Sequence, residues 1–447
     1  MKNNEKIVIV GAGLCGTLLA MRMAQRGFKV DLYERRSDIR KASIEGGRSI
    51  NLALSNRGLK ALALVGMDDE IKKECIPMYG RKIHPVQGEG WLSKYSGREG
   101  EWINSVSRGG LNISLLKGAD EFENLTVHFD QKCLGVDILT GKASFKHTVT
   151  GEETHIEDAV VIGTDGAGSA VRRSLMANST HLLFNFSQHF LRHGYKELTI
   201  PPNSDGTHRI EKNALHIWPR GAYMVIALPN LDGSFTVTMF HPYEGEHGFN
   251  TLNAPDKVQR YFEKEYPDIV PHMPELVEDY FDNPTGTLGT IKCYPWQANG
   301  KVLIMGDAAH AIVPFYGQGM NAAFEDVTVF DQIINEHEGD WKKIFKTFED
   351  TRSDDTNAIA DLAVDNFYEM RDHVDNPDFK KKRSLEMQLE QNYPEYYSKY
   401  SLVTFNENIS YAEAMRKGRE QDALLLKICQ QGELPEEKVI LEKLMAL

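Results

Sequence analysis

The sequence contains few cysteines, and these are far apart along the chain. The 447 residues include five cysteines, which are Cys15, Cys75, Cys133, Cys293 and Cys429. None forms a CxxC pair, so the pattern is neither that of a zinc site nor that of a disulfide framework. An odd, scattered set favours reduced thiols in a reducing compartment. We therefore expect no metal site and no fold held by disulfides.

The sequence also lacks an excess of positive charge and any long apolar run. Its 51 lysines and arginines face 64 aspartates and glutamates, and the net charge of −13 argues against a nucleic-acid partner, because nucleic acid binds to basic surfaces. No apolar run approaches the ~20 residues that a membrane-spanning helix needs. The strand pattern that begins at Lys6 leaves no room for a signal peptide. We expect a soluble, cytoplasmic protein without a membrane partner, and the sequence leaves its oligomeric state open.

A glycine-rich turn follows the first predicted strand. The β-branched run Lys6–Val10 is typical of a buried parallel strand, and the next residues read GAGLCG, with glycines at Gly11, Gly13 and Gly16. In such a turn the first glycine permits the sharp bend, the second admits a pyrophosphate and the third lets helix and strand pack closely. A second predicted strand closes on Glu34, 18 residues after Gly16 (34 − 16 = 18), where a carboxylate can bind an adenosine ribose. The unit predicts a site for FAD or NAD rather than NADP.

Two further glycine-rich turns follow apolar, strand-like runs. The first reads GTDGAGS and contains Asp165 and Gly166; the second begins GDAAH at Gly306 and continues as AIVPFYGQGMN to Asn321. Glycine at the end of a strand lets the backbone approach a ligand closely. Three such turns in one nucleotide-binding fold predict a single large cofactor that all three contact.

The three motifs, in this order and at these distances, resemble those of the single-component FAD-dependent aromatic hydroxylases. The resemblance implies that the first turn and Glu34 bind the ADP part of FAD. It also implies that Asp165 and Gly166 lie near the pyrophosphate, and that Asp307 contacts the ribityl chain and pyrophosphate. Further FAD contacts implied in this way are Arg108, Cys133, Gly319, Met320 and Asn321.

We call residues 314–319 the flavin loop, because the resemblance places them beside the isoalloxazine ring. Its members are Pro314, Phe315, Tyr316, Gly317, Gln318 and Gly319. A proline stiffens such a loop, and the helix that we expect to begin at Met320 would direct its positive end at the flavin N1–C2 carbonyl edge. We expect no acid–base catalyst in the loop, and we expect His310 to pack beneath the GDAAH turn.

Several further stretches, among them GGRSINLALSNRGLKAL and DNFYEMRDHV, resemble the branch of this family that hydroxylates L-kynurenine. The resemblance runs from about Lys6 to about Phe405. It implies that Arg81 and Tyr95 bind the substrate carboxylate, a role that suits the planar, bidentate fork of an arginine. The other substrate contacts that it implies are Asn366, Tyr400, Phe240, Phe315 and Pro314.

The resemblance also implies a reaction. NADPH reduces FAD while substrate is bound, and O2 adds to the reduced flavin at C4a. The resulting hydroperoxide then oxygenates the ring carbon ortho to the aniline nitrogen, giving 3-hydroxy-L-kynurenine. The absence of a second GxGxxG fits transient binding of NADPH. Hydroxylation of another aromatic acid, such as anthranilate or 4-hydroxybenzoate, and an FAD-binding scaffold without turnover remain as alternatives; a flavin halogenase is disfavoured because no WxWxIP-like segment occurs.

These patterns predict an α/β fold with three parts, and the resemblance implies that it is the aromatic hydroxylase fold. A Rossmann-like FAD-binding domain is expected from residues 1–75, 100–180 and 287–330, and an antiparallel-sheet substrate domain from 76–99 and 181–286. The alternation in AYMVIALPN and GSFTVTMFHP supports the sheet. Residues 331–447 are expected to form helices that close the substrate pocket, as the periodicity of MRKGREQDALLLKICQQG indicates.

Overall fold

The computed structural model describes residues 6–41, 51–337, 339–370, 377–431 and 434–447. Parts of the stretches GGRSINLALSNRGLKAL and DNFYEMRDHV lie outside the described residues, as do small parts of the predicted FAD-binding domain and of the C-terminal region. Among the described residues, every helix is too short or too polar to cross a lipid bilayer.

The described strands lie between Lys6 and Ile304. They are β1 Lys6–Val10, β2 Lys29–Tyr33, β3 Asn51–Leu54, β4 Ile76–Met78, β5 Gly80–Ile83, β6 Trp91–Lys94, β7 Ile103–Ser107, β8 Leu125–His128, β9 Gln131–Val136, β10 Ala143–His147, β11 Glu153–Ile156, β12 Val160–Gly163, β13 Asn185–Ile200, β14 Leu215–Pro219, β15 Met224–Pro229, β16 Phe235–Pro242, β17 Gly286–Tyr294, β18 Gln297–Ala298 and β19 Val302–Ile304.

The described helices are concentrated in the last third of the chain. They are α1 Leu14–Gln25, α2 Asn56–Leu64, α3 Asp68–Lys73, α4 Arg108–Ala119, α5 Ala170–Ala177, α6 Ser179–Leu182, α7 Pro255–Glu265, α8 Leu276–Asp282, α9 Asp307–His310, α10 Gly319–His337, α11 Trp341–Tyr368, α12 Pro377–Asn392, α13 Lys399–Thr404, α14 Tyr411–Gln430 and α15 Glu437–Met445. Short 3-10 turns occur at Ile39–Lys41, Val270–His272 and Pro314–Tyr316.

A mostly parallel sheet contains the strands that precede the three glycine-rich turns. Its order is β18-β19-β12-β1-β2-β8, and β1, β12 and β19 lie side by side in parallel. β1 is buried along nearly its whole length, as an inner parallel strand with both faces covered should be. Because the ends of parallel strands meet at one sheet edge, the three turns come together there. The predicted Rossmann-like α/β fold is confirmed.

A second sheet is mainly antiparallel and has the order β17-β13-β16-β15-β14-β5-β6. Its two faces have different neighbours, because successive side chains point to opposite sides. Met224 and Phe240 pack with the flavin loop and α11, whereas Val225 and Met239 pack with α7 and α8. The predicted boundary at 286/287 falls at the start of β17, which pairs with β13 in this sheet; the division into domains stays a prediction.

The C-terminal helices cover the side of the second sheet that carries the flavin loop. Ile359 of α11, Leu402 of α13 and Tyr411 of α14 belong to the same apolar cluster as Phe315. Helices α12, α14 and α15 form a further cluster around Leu389 and Leu425. The last third of the chain thus packs against the flavin loop and against itself.

Candidate active site

The GAGLCG turn lies between β1 and α1. Gly11 has a φ of +103°, a left-handed conformation that favours glycine, and its N–H donates to the Tyr33 carbonyl at 2.7 Å. Gly11 and Gly13 line a large cavity. Gly16 was also predicted to contact the cofactor, but it lies beneath the turn, where a Cβ would overlap the Gly11 carbonyl and the Thr164 hydroxyl. The third glycine therefore acts by letting α1 pack closely.

Glu34 directly follows β2 and faces the same cavity. Its Oε2 accepts a hydrogen bond from the Ala12 N–H at 3.0 Å, and its Oε1 accepts from the Arg36 N–H at 3.0 Å and from Arg36 Nε at 2.8 Å. Burial would raise the pKa of this carboxyl, but the hydrogen bonds from Arg36 and Ala12 outweigh burial and lower it. Glu34 is thus ionised at neutral pH, as binding to ribose hydroxyls requires.

Asp165 and Asp307 face the cavity from the two other turns. Asp165 accepts hydrogen bonds from the Ser169 hydroxyl at 2.5 Å and from the Ala170 N–H at 2.6 Å, which fixes the start of α5. Burial raises the pKa of both carboxyls. The hydrogen bonds at Asp165 and the charge of Arg108 at Asp307 lower the pKa, but they do not outweigh burial.

Arg108, Cys133 and Gly166 complete the predicted cofactor wall, and all three line the cavity. Arg108 is the exposed first residue of α4, so it presents a cation at the positive end of that helix. Burial raises the pKa of the Cys133 thiol to about 12, so the thiol stays uncharged. Gly166 has open space where a Cβ would be.

The flavin loop forms a 3-10 turn followed by Gly317 in the left-handed region and then by α10. Of its members, Gln318 does not line the cavity; its buried Oε1 accepts a hydrogen bond from the Tyr411 hydroxyl at 3.0 Å. Helix α10 begins at Gly319, one residue before the predicted start. Gly319 and Met320 line the cavity, as predicted.

Asn321 was predicted to bind the cofactor, but its side chain is directed away from the cavity. Its Oδ1 accepts a hydrogen bond from the Ser55 N–H at 3.0 Å. Its Nδ2 donates to the Ala53 carbonyl at 2.8 Å and to the Gly317 carbonyl at 2.9 Å. A buried amide must satisfy its donors and acceptor, and here it does so by tying the flavin loop to β3 and α2.

Asp326 of α10 lies under the GDAAH turn and holds it in place. The carboxylate accepts hydrogen bonds from the Gly306 N–H at 3.0 Å, His310 Nε2 at 2.6 Å and Arg352 Nε at 2.8 Å. Burial would raise the pKa of Asp326, but the charges of His310 and Arg352 outweigh it and lower the pKa. His310 is buried in this arrangement, which confirms that it packs beneath the GDAAH turn.

At the other end of the cavity, three tyrosine rings form a stack beside Arg81. The Tyr95 and Tyr400 ring centroids are 5.3 Å apart, and those of Tyr400 and Tyr316 are 5.5 Å apart, each pair at 13°. Arg81 Cζ lies 5.0 Å from the Tyr400 centroid and 5.6 Å from that of Tyr95. Arg81 Nε and the hydroxyls of Tyr95 and Tyr316 are buried without a hydrogen-bond partner among the described residues.

A group of phenylalanine rings forms an aromatic wall beside the flavin loop. The Phe240 and Phe315 ring centroids are 4.9 Å apart, and Phe315 lies 4.4 Å from the Phe367 centroid. Phe240, Phe315 and Pro314 line the cavity, as predicted for an aromatic pocket.

Asn366 was predicted to contact substrate, but it lies behind this wall. Its Nδ2 donates to the Phe315 carbonyl at 2.6 Å and contacts Met370 Sδ at 3.3 Å. Asn366 is buried as a whole. Sequence reasoning missed Met370, which does line the cavity. The i, i+4 spacing from Asn366 was the available signal, since it places both side chains on one helix face. Tyr195 and Thr238 also line the cavity and were missed.

One cavity of about 680 Å³ contains both sets of residues. Its wall runs from Glu34 and the glycine turns, through the flavin loop, to Arg81 and Tyr400. The residues at the first end fit FAD, because glycine backbone, a ribose-binding carboxylate and Arg108 match a nucleotide with a pyrophosphate. Unpaired buried polar atoms at the second end fit a ligand with a carboxylate.

Comparison with known proteins agrees with this site. Residues 4–194 and 256–363 match the family model described as "FAD binding domain". The chain is 44% identical over 425 residues to the kynurenine 3-monooxygenase of Myxococcus xanthus, covering 95% of this chain and 90% of that protein. It is 42% identical over 438 residues to the kynurenine 3-monooxygenase of Dictyostelium discoideum, covering 94% and 92%.

Solved structures show the same fold at lower identity. A mutant of 2-methyl-3-hydroxypyridine-5-carboxylic acid oxygenase aligns with a TM-score of 0.69 at 18% identity, over 88% of this chain and 99% of that one. A variant of HpxO from Klebsiella pneumoniae, complexed with FAD, aligns with a TM-score of 0.64 at 18% identity, over 86% and 94%. Fold and site thus define a flavin monooxygenase that binds FAD. Within that class, the chain belongs to the kynurenine 3-monooxygenase family.

Proposed function

We propose that this protein hydroxylates L-kynurenine to 3-hydroxy-L-kynurenine, with bound FAD, NADPH as a transient co-substrate and O2 as the oxidant. Arg81 is the main support for this proposal. It faces the cavity that the FAD motifs line, and its Nε is buried without a partner among the described residues. A buried N–H donor without an acceptor is costly, and the carboxylate of an amino-acid substrate would supply that acceptor.

FAD would bind with its ADP part on the GAGLCG turn and Glu34 and with its ring system beside the flavin loop. When bound, it supplies the redox chemistry that takes electrons from NADPH and activates O2. Asp165 and Asp307 would meet the pyrophosphate end, with Arg108 as the cation. The first N–H groups of α10 have no partner within the helix, so this end of α10 favours negative charge near it.

The substrate would be oriented from both ends. Arg81 and Tyr95 would hold the carboxylate, and Phe240, Pro314 and Met370 would pack against the aromatic ring. The ring carbon ortho to the aniline nitrogen is already nucleophilic, because the nitrogen lone pair is delocalised into the ring. The protein therefore needs to orient this carbon and exclude water, and His310 can remain engaged with Asp326.

We assign these tasks to the three predicted parts of the chain. Residues 1–75, 100–180 and 287–330 would bind FAD, and residues 76–99 and 181–286 would bind substrate. Residues 331–447 would close the pocket. Tyr400 of α13 and Met370, both in the cavity wall, support the closing role.

The carboxylate clamp is tested by pairing one variant with two substrates. Kynuramine has the same aromatic ring as L-kynurenine and lacks the carboxylate. In Arg81→Gln, we expect the KM for L-kynurenine to rise roughly 10- to 100-fold, the range for one lost charge-assisted hydrogen-bond pair. We expect the KM for kynuramine to change much less. The flavin absorbance, which reports bound FAD, should be unchanged.

The exposed Arg416 provides the matched control. Arg416→Gln should leave both KM values unchanged. An Arg81→Gln protein with equal changes for the two substrates, or with no change, would contradict the clamp.

A further inference from the structure

The hydroxyl of Tyr316 is a buried polar group that the proposed reaction leaves unused. Tyr316 lines the cavity and is only 4% exposed, and its hydroxyl lacks a hydrogen-bond partner among the described residues. Burial raises the pKa of this hydroxyl well above its usual range, so the group stays neutral and keeps lone pairs that can accept. A buried hydroxyl without a partner is costly, because it has lost its bonds to water. A ligand in the cavity would supply the missing partner.

Tyr316 lies between the two groups of residues that we expect to bind substrate. It directly follows Phe315 of the aromatic wall in the flavin loop, and its ring ends the tyrosine stack, 5.5 Å from the Tyr400 centroid. Arg81 Cζ packs against the other two rings of the stack, Tyr95 and Tyr400. Tyr316 is thus one ring further from the guanidinium and next to the aromatic wall.

An amino-acid substrate brings a positive charge as well as a carboxylate to this end of the cavity. Its α-carbon carries an ammonium group, which has three N–H donors and no acceptor. The guanidinium of Arg81 repels this group, so the ammonium should lie on the side of the carboxylate that faces away from Arg81. Among the described residues, the acidic side chains that line the cavity are Glu34, Asp165 and Asp307, in the cofactor wall. The ammonium therefore needs a neutral acceptor close to Arg81 but not in contact with it, and Tyr316 offers one.

The charged side chains behind Tyr316 are engaged with one another. Lys399 acts on the hydroxyl with one sign, and Glu369 and Asp422 act on it with the other. Lys399 Nζ lies 3.1 Å from the Glu369 carboxylate and 2.5 Å from that of Asp422. None of these three residues lines the cavity. The group that faces a ligand here is the hydroxyl itself.

We propose that the Tyr316 hydroxyl accepts a hydrogen bond from the α-ammonium group of the substrate and thereby makes the site selective for aromatic amino acids. This inference rests on the proposed function, because the carboxylate on Arg81 determines where the ammonium lies. The two charged groups of the α-carbon then have separate partners, one on β5 and one in the flavin loop. An aromatic acid without an α-ammonium group would leave the hydroxyl unpaired and would bind less tightly.

Three compounds and one conservative variant test this assignment. L-Kynurenine has both the carboxylate and the ammonium group, kynuramine has only the ammonium group, and desamino-kynurenine, with the same ring and ketone, has only the carboxylate. Tyr316→Phe removes the hydroxyl alone. We expect its dissociation constants for L-kynurenine and kynuramine to rise roughly tenfold, near the lower end of the range for a hydrogen bond to a charged group. The dissociation constant for desamino-kynurenine should stay unchanged.

The change in flavin absorbance on binding measures these constants in the FAD-loaded protein without turnover. Arg81→Gln should give the complementary pattern, with weaker binding of the two carboxylates and little change for kynuramine. Tyr294→Phe is the matched control, because it removes an exposed hydroxyl that accepts from the Lys346 ammonium at 3.0 Å. It should leave all three constants unchanged. Without substrate, Tyr316→Phe should unfold at the wild-type temperature or above it, since the lost hydroxyl has no partner among the described residues.

Several results would overturn the assignment of Tyr316. These are an equal effect of Tyr316→Phe on all three compounds, no effect on L-kynurenine, an effect on the two carboxylates only, or a lower unfolding temperature, which would give the hydroxyl a partner within the protein. A wild-type protein that binds L-kynurenine without hydroxylating it would refute the proposed function alone, because the dissociation constants still decide the role of Tyr316. A wild-type protein that does not bind L-kynurenine would refute both.

Discussion

At the scale of single residues, burial and hydrogen bonds set the pKa of each carboxyl in this site. Glu34 and Asp326 have lowered pKa values and are anions at neutral pH, whereas burial raises the pKa of Asp165 and Asp307. Asp165 accepts hydrogen bonds from fixed partners, as Glu34 and Asp326 do, but at Asp165 they do not outweigh burial. Asp165 and Asp307 face the predicted position of an anionic pyrophosphate. The carboxyl groups of this site thus differ in pKa because their surroundings differ.

Glu34 provides a prediction on cofactor binding. Glu34→Gln removes the charge that receives the hydrogen bonds of the ribose, so the dissociation constant for FAD should rise roughly 10- to 100-fold. Fluorescence titration of the apoprotein with FAD measures it. Asp38→Asn, a change at a neighbouring carboxylate that pairs with Arg40, serves as the control and should leave the affinity unchanged. If Glu34→Gln bound FAD as tightly as this control does, the ribose role would be wrong.

Asp326 provides a prediction on pH dependence. Its pKa is lower in the folded protein than in the unfolded chain, so its contribution to stability is present above the ordinary carboxyl range and is lost as pH falls through the lowered value. Asp326→Asn leaves His310 and Arg352 without their anion and should reduce the free energy of unfolding at neutral pH by about 3 kcal/mol or more. Thermal unfolding at several pH values measures both effects.

The exposed pair of Asp350 and Lys346 offers the comparison for Asp326. Asp350→Asn should change the free energy of unfolding little, because exposed ion pairs contribute little. If Asp326→Asn were as stable as Asp350→Asn, or if it showed the wild-type loss of stability in acid, the support assigned to Asp326 would be incorrect.

At the scale of elements, helices α2 and α10 meet at Gly58, and this contact holds the flavin loop. A Cβ on Gly58 would lie 2.5 Å from Asn321 Oδ1 and 2.5 Å from Leu54 Cδ1. Asn321 is the residue that ties Gly317 to β3. The loop therefore depends on a helix that does not line the cavity.

Gly58→Ala should displace the Asn321 side chain and disturb the flavin loop. We expect a smaller fraction of consumed NADPH to yield hydroxylated product, with hydrogen peroxide making up the difference, because a loose loop admits water. The ratio of product to NADPH measures this coupling. Lys60→Ala, at an exposed position of the same helix, should keep the wild-type ratio. A wild-type ratio of product to NADPH in Gly58→Ala would contradict this prediction, because it would show that the flavin loop tolerates a displaced Asn321 side chain.

The elements also show which parts of the site the sequence can predict. The glycine turns, Glu34, Arg81 and Tyr400 reach the cavity as predicted, because turn geometry and strand ends are local properties. Some predicted residues do not line the cavity, namely Gly16, Gln318, Asn321 and Asn366. A motif shows that the fold or the site requires a residue, but it does not show whether the side chain faces the ligand. Tyr195 reaches the cavity through contacts between distant segments, which no local pattern encodes. For Met370, the helical spacing from Asn366 was an available signal.

At the scale of the whole molecule, the three parts of the chain share one cavity and are joined by specific bonds. Arg383 of α12 donates to the Tyr95 carbonyl at 2.7 Å and to the Lys94 carbonyl at 2.9 Å. Lys399, beside Tyr400, lies 3.1 Å from Glu369, beside Met370. The C-terminal helices thus fix the end of the cavity that Arg81, Tyr95 and Tyr400 line.

Arg383→Gln tests this connection. Loss of the two bonds should let Tyr95 move relative to Arg81, so the KM for L-kynurenine should rise by roughly three- to tenfold while FAD affinity stays unchanged. Steady-state kinetics and FAD titration measure the two quantities. Arg419→Gln, at a half-exposed pair with Asp365, should have neither effect. A wild-type KM in Arg383→Gln would mean that the sheet alone positions Tyr95.

For the whole enzyme, we propose that one cavity binds FAD and orients L-kynurenine for hydroxylation. The most direct measurement follows NADPH oxidation by the FAD-loaded protein with and without L-kynurenine and quantifies 3-hydroxykynurenine by chromatography. We predict strong stimulation by L-kynurenine and product close to the amount of NADPH consumed. Stimulation that yields only hydrogen peroxide, or no stimulation at all, would contradict the claim.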